Sequence, residues 1–183
     1  MLLFVNACVK RESRTKRLAE ALLSKMNDEI VEVRLEDIEF PVANEAFLHK
    51  RDELISNADW NDPMFDLARQ FAAADRIVVA APYWDLSFPA ALKQYFEQVN
   101  VVGITFEYSL EGVPVPRCRA DKLYYVMTAG GTFAPEEFGF GYVKALAQGY
   151  YGINDVELIK AVGLDIYGAD VEAILKAAID SIK

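Results

Sequence analysis

The sequence predicts an α/β chain: a three-layer sandwich in which a doubly wound, five-stranded parallel sheet of order 2-1-3-4-5 carries helices on both faces. Three observations predict it. Five short runs rich in β-branched and aromatic residues recur along the 183 residues. Each run is apolar almost throughout rather than alternating, as strands buried on both faces are. Helical patterns lie between them, and right-handed crossovers between parallel strands require helices on each side.

The first strand is read at 2–8 (LLFVNAC), too short for a helix. A helical pattern follows over 13–27, with Leu18, Ala21, Leu22 and Met26 on one stripe and Ser13 or a neighbour as N-cap. The second strand is read at 30–35, the third at 76–81, the fourth at 122–128 and the fifth at 156–162. Helices are expected over 63–74, 89–101, 135–151 and 169–182, three of them with proline near the start, where its missing N–H costs nothing. Two segments break the rhythm, 40–61 and 103–120, and loops this long in a compact domain are usually functional or at an interface. The run LHKRDEL around His49 reads as a short solvated helix inside the first of these, and Trp60 as an anchor for that loop or a subunit contact.

No repeat or low-complexity tract interrupts 1–183, which is read as a single domain. The composition excludes several classes of protein. With 19 Lys+Arg against 28 Asp+Glu the net charge is −9, which repels polyanions, so nucleic acid and anionic membrane are poor partners. No apolar run approaches the ~20 residues of a membrane span. The amino terminus turns basic after its apolar segment, the reverse of a secretory signal, so the cytoplasm is the expected compartment. Two cysteines then read as reduced thiols, and with one histidine and no C-x-x-C no metal site is expected.

In a sheet of this order the ligand crevice opens at the carboxyl ends of strands one and three, where the winding reverses. After strand one, Ser13-Arg14-Thr15 opens a helix whose N-terminus, two hydroxyls and one arginine suit a phosphate; Ser13 reads equally as a plain cap. The spacing Cys8-x5-Arg14 also imitates a phosphatase loop, but the intervening residues contain no glycine to turn amides inward, and a buried, inert Cys8 is the better reading. After strand three comes PYWDLSFP, whose aromatics offer a platform for a flat ring or pack under neighbouring loops. After strand four, TAGG lets backbone approach a ligand closely or simply turns. The three loops line one crevice, and together they suit a planar heterocycle carrying one phosphate, such as FMN.

The stretch ADRIVVAAPYWDLSFPAALKQYFEQVNVVGITFEY, with TAGG and GYYGINDVELIKAVGLD behind it, resembles the flavodoxin-like NAD(P)H-dependent FMN oxidoreductases, the group of FMN-dependent NADH azoreductases and NAD(P)H:quinone oxidoreductases. The resemblance covers most of the chain. It implies a flavodoxin-like fold with FMN as cofactor, NADH or NADPH as electron donor, and a quinone, azo or similar aromatic acceptor, reduced by ping-pong hydride transfer. It implies that Ser13, Arg14 and Thr15 hold the FMN phosphate. Pro82, Tyr83, Trp84, Asp85 and Leu86 would wrap one edge of the isoalloxazine with main-chain N–H groups, and Thr128, Ala129, Gly130 and Gly131 would line the other. Phe106, Tyr108 and Phe133 become candidates for the substrate pocket. No side chain is assigned as acid, base or nucleophile, because the hydride chemistry belongs to the flavin. Relatives in this group commonly form two-fold dimers with the flavin near the interface, which implies a homodimer. Asp85 departs from the family's usual Asn and adds negative charge beside the ring. The alternative reading is a flavodoxin-like electron carrier without efficient NAD(P)H turnover.

Overall fold

The computed structural model describes residues 1–182. In chain order, β1 (Leu2–Asn6) is followed by α1 (Arg14–Leu23), β2 (Ile30–Arg34), α2 (Glu45–Ser56), α3 (Asp66–Ala73), β3 (Arg76–Ala80), α4 (Ala90–Val99), a hairpin of β4 (Phe106–Tyr108) and β5 (Pro114–Pro116), β6 (Lys122–Thr128), α5 (Phe140–Leu146), β7 (Asp155–Ala161) and α6 (Val171–Asp180). The main sheet has the order β2-β1-β3-β6-β7 with every pair parallel. This is the flavodoxin-like 2-1-3-4-5 arrangement that the apolar runs predict; the hairpin strands stand outside it.

Strand periodicity sorts the core into two layers. Leu3 and Val5 of β1 face Phe71 of α3 and Leu92, Tyr95 and Phe96 of α4. Leu2 and Phe4 face Leu18, Ala19 and Leu22 of α1 and Leu175 of α6. A central strand buried on both sides has no solvent face to make polar, hence its unbroken hydrophobicity. The edge strand β2 differs: only Val33 is buried, and charged Glu32 and Arg34 alternate with it.

Three segments depart from the sequence reading. The 40–61 region contains α2, a full 12-residue helix capped by Asn44, whose side chain accepts from the Phe47 amide at 3.0 Å. Its charged sequence masks a narrow apolar contact, in which Leu54, Ile55 and Trp60 pack on Phe65 and Val101. Gly103, at φ 93, lies against the Trp60 ring, where a Cβ would collide. The 103–120 region folds back as the β4–β5 hairpin, its Pro-Val-Pro strand tolerated because only one partner needs its N–H groups. The helix expected over 135–151 starts later, at Phe140, because the preceding loop is tied across the crevice: Tyr83 and Ser87 donate their hydroxyls to the Pro135 and Phe138 carbonyls at 3.1 and 2.8 Å.

That helix ends in a π-helical turn, Ala147–Tyr151, closed by Gly152 at φ 73. The wider turn aims consecutive tyrosines at different neighbours. Tyr150 stacks on Phe106 with ring centroids 4.4 Å apart. Tyr151 is buried against Phe71 and donates to Asn100 Oδ1 at 2.6 Å, which fixes the end of α4. Tyr151→Phe strands that amide oxygen, so the variant is expected to lose about 1–2 kcal/mol. Thermal unfolding should then begin roughly 2–8 °C lower in midpoint; an unchanged midpoint would assign the bond no weight.

Candidate functional site

A cleft of ≈ 340 Å³ opens at the carboxyl ends of β1, β3 and β6. Its corner is the start of α1. The Ser13 hydroxyl accepts from the Lys16 amide at 3.2 Å, so it caps the helix as well as lining the cleft. The amides of Arg14 and Thr15, in the first turn, have no carbonyl four residues back to bond, and the helix dipole adds positive potential there. The Thr15 hydroxyl is committed elsewhere: it shares a buried 2.6 Å hydrogen bond with Thr128 Oγ1, locking the start of α1 onto the end of β6. Thr15 therefore presents its amide, not its side chain.

Arg14 spends a single nitrogen on the protein. Its Nη1 donates to the Leu164 carbonyl at 3.0 Å and to Asp165 Oδ1 at 2.8 Å. Among the described residues Nε and Nη2 have no partner, leaving one edge of the guanidinium fork for an anion. The guanidinium in turn holds the Asp165 carboxyl below its usual range. Asp165 also explains Gly130, since a Cβ there would fall on the Asp165 carboxylate. The sequence reading missed Asp165, which stands 151 positions from Arg14; no local pattern links them.

The loop after β3 makes a tight turn. Trp84 and Ser87 exchange both main-chain hydrogen bonds, at 3.1 and 2.7 Å, around Asp85 and Leu86 at φ 49 and 68. Two successive non-glycine residues in the left-handed region cost of order 1–2 kcal/mol each, and such strain gathers where backbone must be presented. Tyr83 gives its amide to the Thr128 carbonyl at 3.0 Å, Trp84 gives its own to Ser87, and Pro82 has none. Of the five residues expected to wrap the ring, Asp85 and Leu86 alone keep an N–H without a partner among the described residues. Across the cleft the Ala129 amide bonds the Ala161 carbonyl at 2.9 Å, and the amides of Gly130 and Gly131 have no partner among the described residues.

The expected residues thus divide. Ser13, Arg14, Thr15, Pro82, Tyr83, Trp84, Thr128 and Gly130 line the cleft, joined by Val9, Lys10, Glu12 and Asp165. Asp85, Leu86, Ala129 and Gly131 flank it on the same loops. Phe106 is buried under Tyr150 in the hairpin layer, Tyr108 is half-exposed beside it, and Phe133 stands exposed beyond the glycines, so none of the three walls the cleft within one chain. The arrangement fits FMN: an anion corner with two amides and a guanidinium edge, an aromatic wall with Trp84, and two pairs of free N–H groups on opposite sides.

The phosphatase imitation fails on acidity and geometry. Cys8 is buried, with its thiol aimed at the Ala80 carbonyl, and burial pushes its pKa up. Burial pushes the Cys118 thiol to about 12. Neither is a thiolate at neutral pH. Among the described residues there is no group of three or more His, Cys, Asp or Glu placed to hold a metal, and no helix long and apolar enough to cross a membrane.

Comparison with known proteins finds relatives that match this chain over nearly its whole length. A relative from Clostridium beijerinckii named FMN-dependent NADH:quinone oxidoreductase is 36% identical, covering 100% of this chain and 96% of its own. One of the same name from Lachnoclostridium phytofermentans is 37% identical over 96% of this chain and 92% of its own. The crystal structure of an azoreductase from Bacillus anthracis superposes with a TM-score of 0.84 at 26% identity, covering 99% of this chain and 95% of that one. A family model described as flavodoxin-like fold matches residues 1–183, and the chain belongs to that family.

Proposed function

We propose that this protein is an FMN-dependent NADH:quinone oxidoreductase that also reduces azo and similar flat aromatic acceptors. The observation that carries the reading is the cleft with an anion corner, lined by Gly130 and flanked by the uncommitted main-chain N–H groups of Asp85, Leu86 and Gly131, in a chain matched end to end by relatives of that name. FMN bound there supplies the hydride chemistry, taking a hydride from a reduced nicotinamide and passing it to the acceptor.

The protein's part is binding and electrostatics. The amides of Arg14 and Thr15 and the open edge of Arg14 hold the phosphate, with Ser13 closing the corner. Lys10 and Arg14 are opposed around the cleft by Glu12 and Asp165, so net charge contributes little and directed N–H donors do the holding. The free N–H groups of Asp85 and Leu86 on one side, and of Gly130 and Gly131 on the other, favour negative charge developing on the ring without reorganising when it does. Asp85 opposes this with its carboxylate and tunes the cofactor toward easier reoxidation.

Two copies are proposed to pair around this face. Trp84, Leu86, Phe133 and Phe138 leave large apolar surface exposed near the crevice, more than a monomer's mouth requires, and the half-exposed Tyr108 would then serve a neighbouring site, with Phe106 packed beneath it in support. The proposed compartment is the cytoplasm, where reduced nicotinamide and protonated thiols are maintained.

Three outcomes test the reading. Mixed anaerobically with NADH, the FMN-loaded protein should lose its ~450 nm absorbance within seconds and regain it on adding a quinone; flavin that stays oxidised would mark an electron carrier instead. Arg14→Ala should weaken FMN binding roughly 10- to 100-fold, the worth of a charge-assisted hydrogen bond or two. Flavin-fluorescence titration measures this, and an unchanged Kd would remove Arg14 from the phosphate. Light scattering on the eluting protein should give twice the monomer mass, and a monomer would return Tyr108 to a purely structural role.

A further inference from the structure

A second cleft, of ≈ 600 Å³, lies on the other side of the loop that follows β1. The two share Val9 and Lys10, so that loop is a low wall between them. The second cleft opens over the carboxyl ends of β1 and β2, and the flavin reading gives it no occupant. We infer that it receives the adenosine diphosphate half of the electron donor and selects NADH over NADPH; this rests on the reductase reading above.

Size comes first. A cleft of ≈ 340 Å³ that takes FMN cannot also enclose a dinucleotide, so a nicotinamide stacked on the flavin must lead its two phosphates and second ribose out over a rim. The rim toward β2 is the one with matching chemistry. Lys10 and Arg11 stand on it, and among the described residues neither has a carboxylate within ion-pair distance, whereas most other Lys and Arg are paired. Lys16, behind them, has only a loose 3.8 Å contact with Glu20. Three cations converging beside a helix start match a pyrophosphate.

Beyond them, at the end of β2, Arg34 is held by Glu36 and, at 3.5 Å, by Asp37. Glu36 and Asp37 stand in the turn Leu35–Asp37 that follows β2, and both line the second cleft with Arg34. With Glu32, which accepts from Asn6 at 2.8 Å, three carboxylates stand against one already engaged guanidinium and leave this corner negative. A free diol finds acceptors there; a 2′-phosphate meets repulsion. Cations near the shared wall and carboxylates farther out repeat the order of pyrophosphate and ribose in the donor.

The test uses the FMN-loaded protein and three ligands: ADP, NADH, and reduced nicotinamide mononucleotide, which lacks the ADP half. ADP should bind one per chain in a calorimeter and compete with NADH but not with the mononucleotide. Arg11→Glu, chosen because Arg11 lines the second cleft alone, should abolish the ADP heat and raise the NADH-to-mononucleotide KM ratio about tenfold or more. Glu36→Gln with Asp37→Asn should narrow the preference for NADH over NADPH. The inference is overturned if ADP gives no heat, or if Arg11→Glu raises both KM values alike. Failure of the reductase reading would look different: neither donor would bleach the flavin, while the ADP titration would still report on the second cleft.

Discussion

The direction in which the chain leaves two neighbouring strands governs the site. From β1 it turns to the face covered by α1 and α6, and from β3 to the opposite face, covered by α4. The carboxyl ends of two hydrogen-bonded strands therefore diverge into loops on opposite sides, and the space between cannot be filled by either connection. The Thr15–Thr128 hydroxyl pair, at 2.6 Å and buried, holds this opening to a fixed width by joining the first residues of α1 to the last of β6. A second tie runs from Arg14 to Asp165 and to the carbonyl of Leu164, and the amides of these two residues bond the Gly130 and Ala129 carbonyls of the glycine wall.

Around that opening the main chain divides its donors between structure and ligand. Tyr83, Trp84 and Ala129 give their amides to carbonyls of the adjoining strands and turn, extending the sheet's hydrogen bonding beyond its regular end. The residues immediately after them, Asp85, Leu86, Gly130 and Gly131, do not. In the first loop this exposure costs left-handed backbone at two side-chain-bearing residues. In the second neither glycine needs left-handed backbone, and at Gly130 glycine is also what the overlying Asp165 carboxylate requires. Both loops are braced from outside, by Tyr83 and Ser87 on the 132–139 segment and by Arg14 on Asp165 and the Leu164 carbonyl.

Charge follows the same division. The chain is acidic overall at −9, yet cations gather along one short stretch, Lys10, Arg11, Arg14 and Lys16. Those facing the first cleft are balanced by Glu12 and Asp165; those facing the second are not balanced until Glu36 and Asp37. The unfavourable field of the whole surface is thereby overcome locally, over distances shorter than the ~8–10 Å at which salt screens it.

Much of the fold was legible because its signals are local. Uniformly apolar runs of β-branched and aromatic residues reveal strands buried on both faces, and the loops after strands one, three and four can be placed at one crevice from strand order alone. The charged run around His49 reads as a short solvated helix, but the full length of α2 and its narrow apolar contact do not show in it, and the β4–β5 hairpin uses prolines that argue against a strand. At the site, residue types at 13–15, 82–86 and 128–131 were readable, but the division of labour among them was not. The alternation of strands and helices, the place of the crevice and the chemistry available there follow from the order of residues along the chain. Packing settles which donors stay free, that Thr15 bonds Thr128, and that Arg14 meets Asp165 across 151 positions. Those outcomes depend on which groups lie within about 3 Å after packing, a distance that no spacing along the chain encodes.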